Sequence, residues 1–286
     1  MWQVVIEITI KDVLKKGEYM YQSLVDIMGF ETIPAICTGD LKEDNFSNAR
    51  LYRELLDKYR NSGLHPVLIH KNMDSEDYRI RVGNRNVFDT KEAYQKNVED
   101  ILRETNYSCF DVWYGRMIYD YGLDCYKSKE EVQEYFDKLN PPKSEGYNSI
   151  FKDAFEKDTY GVFDCDEVTW KGAELFFDFN KYEFVLLPAQ NNWEALAWFP
   201  FGRFNACPAP RYHVAFAKEL AQRYGARIMC IGINRLTYYL EKPLVDKAAV
   251  EEAVKLLMVA DGDVYPRFIE TALDIIGAHT WQFWWD

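Results

Sequence analysis

Apolar and polar positions alternate at the start of the chain, and this alternation predicts a strand over residues 4–10. Every second residue from Val4 to Ile10 is aliphatic, as expected when one face of a strand is buried. A short helix that stops at Gly29 and a second strand over 33–37 follow.

The next segment predicts a helix and then a buried strand. A helix capped by Asn45 or Ser47 carries an apolar stripe that ends before Gly63. Glycine after the last periodic residue is a common helix stop. The β-branched run from His65 to His70 then predicts a strand, which makes this the clearest α/β unit of the N-terminal half.

Two capping-box patterns and a proline-rich segment organise the middle of the chain. Asp89 with Glu92, and Ser128 with Glu131, each precede an apolar stripe of helical spacing. The aromatic segment 110–121 between them fits either helix or strand. The polar stretch 140–146, with two prolines, predicts a boundary between regions 1–140 and 147–286.

The second half predicts strands first and helices among them. The predicted strands are 182–187, 193–199, a hairpin of 227–231 and 235–240, and a closing strand over 279–286. The predicted helices are 208–224, ended by Gly225, one capped by Asp246 and one that starts at Pro266. We therefore expect an α+β protein with a mixed or antiparallel sheet flanked by helices and a smaller N-terminal α/β subdomain.

Charge and composition narrow the classes of partner. The chain has 286 residues, 16% of them aromatic, and a formal net charge of −12. An acidic protein is poorly suited to nucleic acid or to anionic membranes, so we expect neither. An acidic surface suits a basic protein partner, or it serves only to keep the protein in solution, which is the commoner explanation. The start of the chain lacks the features of a signal peptide, and no apolar run approaches the roughly 20 residues of a membrane span. These features predict a cytoplasmic protein.

The six cysteines do not form a recognisable metal or disulfide framework. They are scattered along the chain, and no two of them form a CxxC pair. Structural zinc sites need ligands at short, repeated spacings. We therefore predict reduced thiols, with no metal and no cofactor.

Histidine, the residue most used in acid–base chemistry, is scarce, with four in the chain. His65 and His70 are five residues apart in one predicted strand, so their side chains point to opposite faces. Cys165 or Cys207 with His213 could supply a nucleophile and a base, but the position of His213 near the start of a predicted helix favours a structural role. The acid clusters 164–167 and 261–263 predict solvated turns rather than calcium loops. The common phosphate-binding and hydrolase motifs are missing from the sequence.

A series of motifs in the C-terminal half resembles a known family. The series consists of WFPFGRFNACP at 198–208, His213, RYGA at 223–226 and FWWD at 283–286. It is similar to the bacterial family catalogued as domain of unknown function 4253. The similarity extends in weaker form to residues 47–286. Since no activity is established for that family, the resemblance implies a fold only. The chain departs from the family at 260–263, where members often have Cys-Pro-Asp.

These observations support hypotheses from three classes. The first is a non-catalytic protein-interaction protein, of which an immunity-type protein is one form. The second is a small-ligand binder or enzyme at the turn that contains Arg203, Asn205 and Cys207, since exposed donors beside indoles could bind an anionic or planar group. The third is a subunit of a homo-oligomer. Whether the protein is an enzyme stays open, and the missing motifs favour a non-catalytic role. The candidate binding residues are Trp193, Trp198, Arg203, Asn205, Cys207, His213 and Trp285.

Overall fold

The structure is a computed structural model. It describes residues 24–71, 90–103, 130–131, 134, 179–204, 207–261, 264–265 and 267–285. Several predictions lie outside these residues: the strand over 4–10, the segment 110–121, the polar stretch 140–146, the cap at Ser128, the acid cluster 164–167 and Asn205. The boundary between regions 1–140 and 147–286 therefore stays a prediction.

The described chain contains seven α-helices and six strands. The helices are α1 Leu24–Met28, α2 Leu41–Tyr59, α3 Lys91–Arg103, α4 Ala195–Trp198, α5 Pro210–Tyr224, α6 Lys247–Ala260 and α7 Phe268–Ile275. The strands are β1 Glu31–Pro34, β2 Leu64–His70, β3 Tyr182–Pro188, β4 Arg227–Ile231, β5 Arg235–Tyr239 and β6 Thr280–Trp284.

The six strands form one sheet in the order β1-β3-β2-β4-β5-β6. Strands β2 and β4 are parallel, and the other neighbours are antiparallel. The sheet is therefore mixed and the protein is of the α+β class, as predicted. Strand β2 lies between β3 and β4, so strands from before residue 140 and from after residue 147 share one sheet.

Both faces of the sheet are covered by apolar side chains. In β2, Val67 and Ile69 belong to the larger core cluster, which also contains residues of α5, α6 and α7. Leu68, between them, belongs to a smaller cluster with Tyr52 and Leu55 of α2. Alternate side chains of a strand point to opposite faces, so helices pack on both sides of β2. This two-sided burial explains why β2 is apolar along most of its length.

Most of the predicted elements of the second half are confirmed. Helix α5 starts at Pro210, two residues after the predicted start, and ends at Tyr224 as predicted, with Gly225 as its C-cap at φ of +67°. Strands β4 and β5 form the predicted hairpin, β6 closes the chain, and the Asp246 side chain accepts the Ala249 N–H at 2.9 Å. Local signals were sufficient at these places because proline, glycine and caps act within a few residues.

The strand predicted over 193–199 is wrong. Residues Asn192–Glu194 form a 3₁₀ turn, and α4 follows directly. The Glu194 carboxylate accepts N–H groups of Gln190 and Asn191, and the Asn192 amide donates to the Ile228 carbonyl at 3.1 Å. These side-chain bonds stabilise a turn that the aromatic and aliphatic residues of the segment did not indicate.

The starts of two N-terminal helices also differ from the predictions. Helix α2 begins at Leu41 rather than at Asn45 or Ser47, because Asp40 accepts the Glu43 N–H at 3.3 Å. In α3 the hydroxyl of Thr90 accepts the Ala93 N–H at 3.1 Å, one residue after the predicted cap. In both cases a short polar side chain nearer the true start satisfies the first N–H groups.

Asp261 is fully buried, so the solvated turn predicted at this residue is wrong. Its two carboxylate oxygens accept the N–H groups of Val264 and Trp284, at 3.1 and 2.8 Å. Tyr265 adds a bond from its hydroxyl to the Gln282 carbonyl at 2.6 Å. The turn after α6 thus satisfies backbone groups along the outer edge of β6, which would otherwise be open to pairing.

Among the described helices, none is long and apolar enough to cross a membrane.

Candidate functional site

The loop between α4 and α5 has an unusual backbone. Gly202 has φ of +108°, and a Cβ added there would lie 1.9 Å from the Pro208 carbonyl oxygen. Arg203 has φ of +64°, and among the described residues it is the only one other than glycine with a positive φ. Its N–H donates to the Pro208 carbonyl at 3.1 Å and to the Cys207 carbonyl at 3.3 Å. Only glycine fits position 202, because any side chain would overlap the backbone.

This loop places Cys207 against His213 in the first turn of α5. The Sγ atom of Cys207 is 3.2 Å from Nε2 of His213. The rings of Phe201 and Trp285 meet the imidazole edge-on, with centroids 5.2 and 5.1 Å away. Cys207 is 1% exposed, His213 2% and Trp285 2%. We call this group the Cys207–His213 cluster.

The cluster has the atoms of a nucleophile and a base, but it is sealed. A catalytic thiol must approach its substrate to about the distance of a hydrogen bond. The aromatic rings and the tight loop enclose Cys207 on the sides that the structure describes. In this conformation the cluster packs the interior and joins the loop to α5 and the C-terminal strand.

The structure brings together only some of the residues predicted from the sequence. Cys207, His213 and Trp285 are in contact, and the Arg203 side chain next to them is exposed. Trp198 lies elsewhere, against Phe30 and Tyr94, with ring centroids 5.6 and 6.1 Å apart. Trp193 is also apart from the cluster and lines a separate cleft.

That cleft, of about 530 Å³, lies where β2 and β4 begin and β3 ends. We call it the His65–Arg227 cleft. Its lining consists of His65, Gln190, Asn191, Asn192, Trp193, Ala221, Gln222, Gly225, Ala226 and Arg227. The volume is in the range of small-molecule sites. The loop after β3 supplies the amide side chains, the last turn of α5 supplies one wall, and His65 and Arg227 come from the two parallel strands.

His65 and Arg227 form the polar centre of this cleft. The Arg227 Nη2 atom is 3.1 Å from Nδ1 of His65. A guanidinium can only donate, so Nδ1 accepts and the histidine is neutral with its proton on Nε2. Burial, and then the charge of Arg227, lower the pKa of His65 below its usual value. The imidazole therefore stays neutral and does not repel the guanidinium.

The second neighbour of Arg227, Tyr52, is also neutral. Tyr52 of α2 lies beside the guanidinium, and its hydroxyl donates to the Ile228 carbonyl at 3.2 Å. Burial raises the pKa of Tyr52 well above its usual value. The phenol therefore keeps its proton, and neither side chain neutralises the charge of Arg227.

The acidic residues near the cleft are engaged elsewhere. Glu194 is 8% exposed, and its carboxylate accepts the N–H groups of Gln190 and Asn191 and the Asn191 side-chain amide. Glu241 borders a smaller hollow of about 170 Å³ that shares His65, Gln190 and Arg227 with the cleft. It pairs with Arg60 at 3.2 Å. Arg227 forms no ion pair with a carboxylate in the part of the chain that the structure describes.

Sequence reasoning missed Arg227 and overlooked the role of His65. The sequence contained one sign of this pair. Each of two apolar strands has a polar residue near its start, His65 in one and Arg227 in the other. Because such residues often mark only the end of a strand, this signal is weak without the pairing of β2 with β4.

In the described residues no group of three or more His, Cys, Asp or Glu is placed to hold a metal ion.

Comparison with known protein families identifies the C-terminal segment. Residues 183–286 match the family described as Domain of unknown function (DUF4253). The resemblance inferred from the sequence is thus confirmed over these residues. No curated protein and no solved structure matches the chain. The DUF4253 segment contains the Cys207–His213 cluster and Arg227, whereas His65 precedes it.

Proposed function

We propose that this protein acts by binding rather than by catalysis, and that the His65–Arg227 cleft takes a small polar ligand. The observation that carries the proposal is an open cleft of about 530 Å³ built around an arginine with no carboxylate partner among the described residues. Concave sites with a few convergent polar groups are typical of small-ligand binding.

The surroundings of His213 and His65 support a non-catalytic role for this protein. The close thiol–imidazole pair is enclosed by aromatic rings, so it has no access to a substrate in this conformation. The histidine that does border a cleft is paired with a cation, and this partner disfavours the proton uptake that a general base requires. The cleft is therefore better suited to holding a group than to transferring a proton.

A cleft-filling variant tests this proposal. Ala221 is a half-buried helix residue that lines the cleft, and Ala221→Phe would fill it. Ala249 of α6 is half-buried as well and does not line the cleft, so Ala249→Phe is the matched control. We expect compounds in a metabolite library to raise the melting temperature of the wild type and of Ala249→Phe, but not that of Ala221→Phe. Stabilisation of both variants by the same compounds, or of none of the proteins, would reject the cleft.

An acidic protein-interaction protein is the second candidate, and the charge distribution favours it. Residues 1–182 contain 34 Asp and Glu against 24 Lys and Arg, whereas residues 183–286 contain 12 against 10. Nearly all of the excess negative charge thus precedes the DUF4253 segment. Such a region would attract a basic protein. We propose a cytoplasmic bacterial protein, of immunity type, that masks such a partner.

Charge reversal distinguishes this second candidate. Glu43 and Glu54 are exposed on α2, and Glu252 and Glu270 are exposed on α6 and α7. If a basic partner co-purifies from the native host, Glu43→Lys with Glu54→Lys should weaken the complex more than Glu252→Lys with Glu270→Lys. Binding that is insensitive to salt, or equal effects of the two double variants, would contradict the acidic interface.

A further inference from the structure

We infer that the ligand of the His65–Arg227 cleft carries an anionic group, a carboxylate or a phosphate, that pairs with Arg227. This inference rests on the proposed function and names the chemical class of its ligand. A carboxylate and a phosphate each present a pair of acceptor oxygens to a guanidinium, so Arg227 suits both.

Arg227 lacks a counter-ion among the described residues. The residue is half-buried at the start of β4, and its Nε–H is buried without a partner among the described residues. One Nη2 hydrogen is directed to His65, while the carboxylates of Glu194 and Glu241 are engaged elsewhere. A half-buried cation without a counter-ion is unfavourable, and a bound anion would relieve that cost.

The rest of the lining supports an anion with a planar part. The Nζ atom of Lys218, which does not itself line the cleft, lies 5.4 Å from the ring centroid of Trp193, so a second positive charge lies against one of the lining residues. The Trp193 indole is half-buried and offers an apolar face. Side-chain amides of Gln190 and Gln222 add donors. These groups favour a small molecule with an acidic group at one end and a ring at the other.

Two features near the cleft oppose an anion: the buried Glu194 carboxylate, whose negative charge acts on His65, and the end of a helix. Helix α5 ends at the cleft, and the C-terminal end of a helix carries partial negative charge. Two of its last carbonyls are already satisfied, because Gly225 N–H donates to Ala221 at 3.0 Å and Ala226 N–H to Leu220 at 3.4 Å. The positive charge of Arg227, with Lys218 beside Trp193, opposes this remaining partial charge.

Matched aromatic probes test the inference on the full chain. Benzoate and phenyl phosphate carry the acidic group, and benzamide and phenol are their neutral counterparts. We expect calorimetric titration to show that each anion binds the wild type at least about tenfold more tightly than its neutral counterpart. Comparison of the two anions shows whether the carboxylate or the phosphate is preferred.

Three arginine variants locate the charge that binds the anion. Arg227→Gln should lose about tenfold or more in affinity for the anions and little for the neutral probes. Arg235, at the start of β5, is half-buried in the same way but lies over Trp284 instead, with Cζ 5.7 Å from the ring centroid. Arg235→Gln is therefore the control, and it should bind like the wild type. Arg227→Lys keeps the charge and should retain part of the affinity, which separates charge from folding.

The possible outcomes are distinct. Equal affinity for charged and neutral probes, with binding blocked by Ala221→Phe, would overturn the anion and leave the cleft as a ligand site. Anion binding unaffected by Arg227→Gln would also overturn the inference. Failure of all four probes to bind would overturn it as well, and a library compound that the Ala221→Phe variant no longer binds would still support the cleft.

Discussion

Two histidines in this protein have a polar neighbour at nearly the same distance, and their surroundings give them different roles. His213 Nε2 is 3.2 Å from the Cys207 thiol, inside aromatic rings. His65 Nδ1 is 3.1 Å from the Arg227 guanidinium, at the border of a cleft. A short distance between two reactive side chains therefore does not identify a functional site. Access and unbalanced charge distinguish the cleft from the cluster.

The Cys207–His213 cluster and the His65–Arg227 cleft also differ in how their side chains affect the free energy of the folded protein. The Cys207–His213 cluster is buried with aromatic partners, so removal of a side chain leaves a cavity. The His65–Arg227 cleft leaves a charge partly desolvated and without a counter-ion, which is a cost that a ligand can offset. Variants of the cluster should therefore change stability, and variants of the cleft should change binding more than stability.

The largest expected effect is at the loop that holds the cluster. Gly202→Ala should lower the free energy of unfolding by about 4 kcal/mol, because the new Cβ would overlap the Pro208 carbonyl and the positive φ adds strain. Urea denaturation followed by circular dichroism measures the loss. Gly39 has φ of +88° with no atom within 4 Å of an added Cβ, so Gly39→Ala is the control and should cost about 1 kcal/mol. Equal losses would mean that the close approach to Pro208 is not a constraint.

The same substitution at each histidine compares the two regions directly. His213→Ala should cost about 3 kcal/mol, since it opens a cavity among Phe201, Cys207 and Trp285. His65→Ala should cost about 1 kcal/mol, because the site is partly solvated and water can replace the imidazole. Urea denaturation of both variants gives the comparison, and a larger loss at His65 would reverse our assignment of roles.

The smallest expected effect is a pH dependence that belongs to His65. Its pKa is lowered by burial and by Arg227, so the unfolded chain takes up a proton at this residue before the folded chain does. The contribution of His65 to stability should be complete above the unfolded pKa of about 6.5 and should decline as the pH falls below it. The denaturation midpoint of the wild type should therefore fall more between about pH 7 and pH 5 than that of His65→Gln. Parallel curves would show that the histidine is not perturbed.

Local chemistry made much of the fold predictable. Proline at the start and glycine at the end delimit α5, and Asp246 caps α6, because these effects depend on a few neighbouring residues. The strand predicted over 193–199 failed because the Glu194 and Asn192 side chains bond to backbone groups that only the fold brings near. The burial of Asp261 was missed for the same reason, since one of its partners is the N–H of Trp284 in another element.

The candidate site was less predictable than the fold. Motif similarity directed attention to Arg203, Cys207 and His213, and two of these three are core residues. The cleft depends instead on His65 and Arg227, which are 162 positions apart in the chain. Nothing in either local sequence indicates the other, because their proximity follows from the parallel pairing of β2 with β4.

The sequence by itself determined the α+β class, the hairpin of β4 and β5, the end of α5 and the resemblance that the DUF4253 match confirms. These properties follow from periodicity, caps and short motifs, which act over a few residues. The tertiary structure alone decided the strand order, the sealing of Cys207 with His213 and the pairing of His65 with Arg227. Each of these depends on contacts between distant segments, whose free energy arises from burial and from the satisfaction of polar groups in three dimensions.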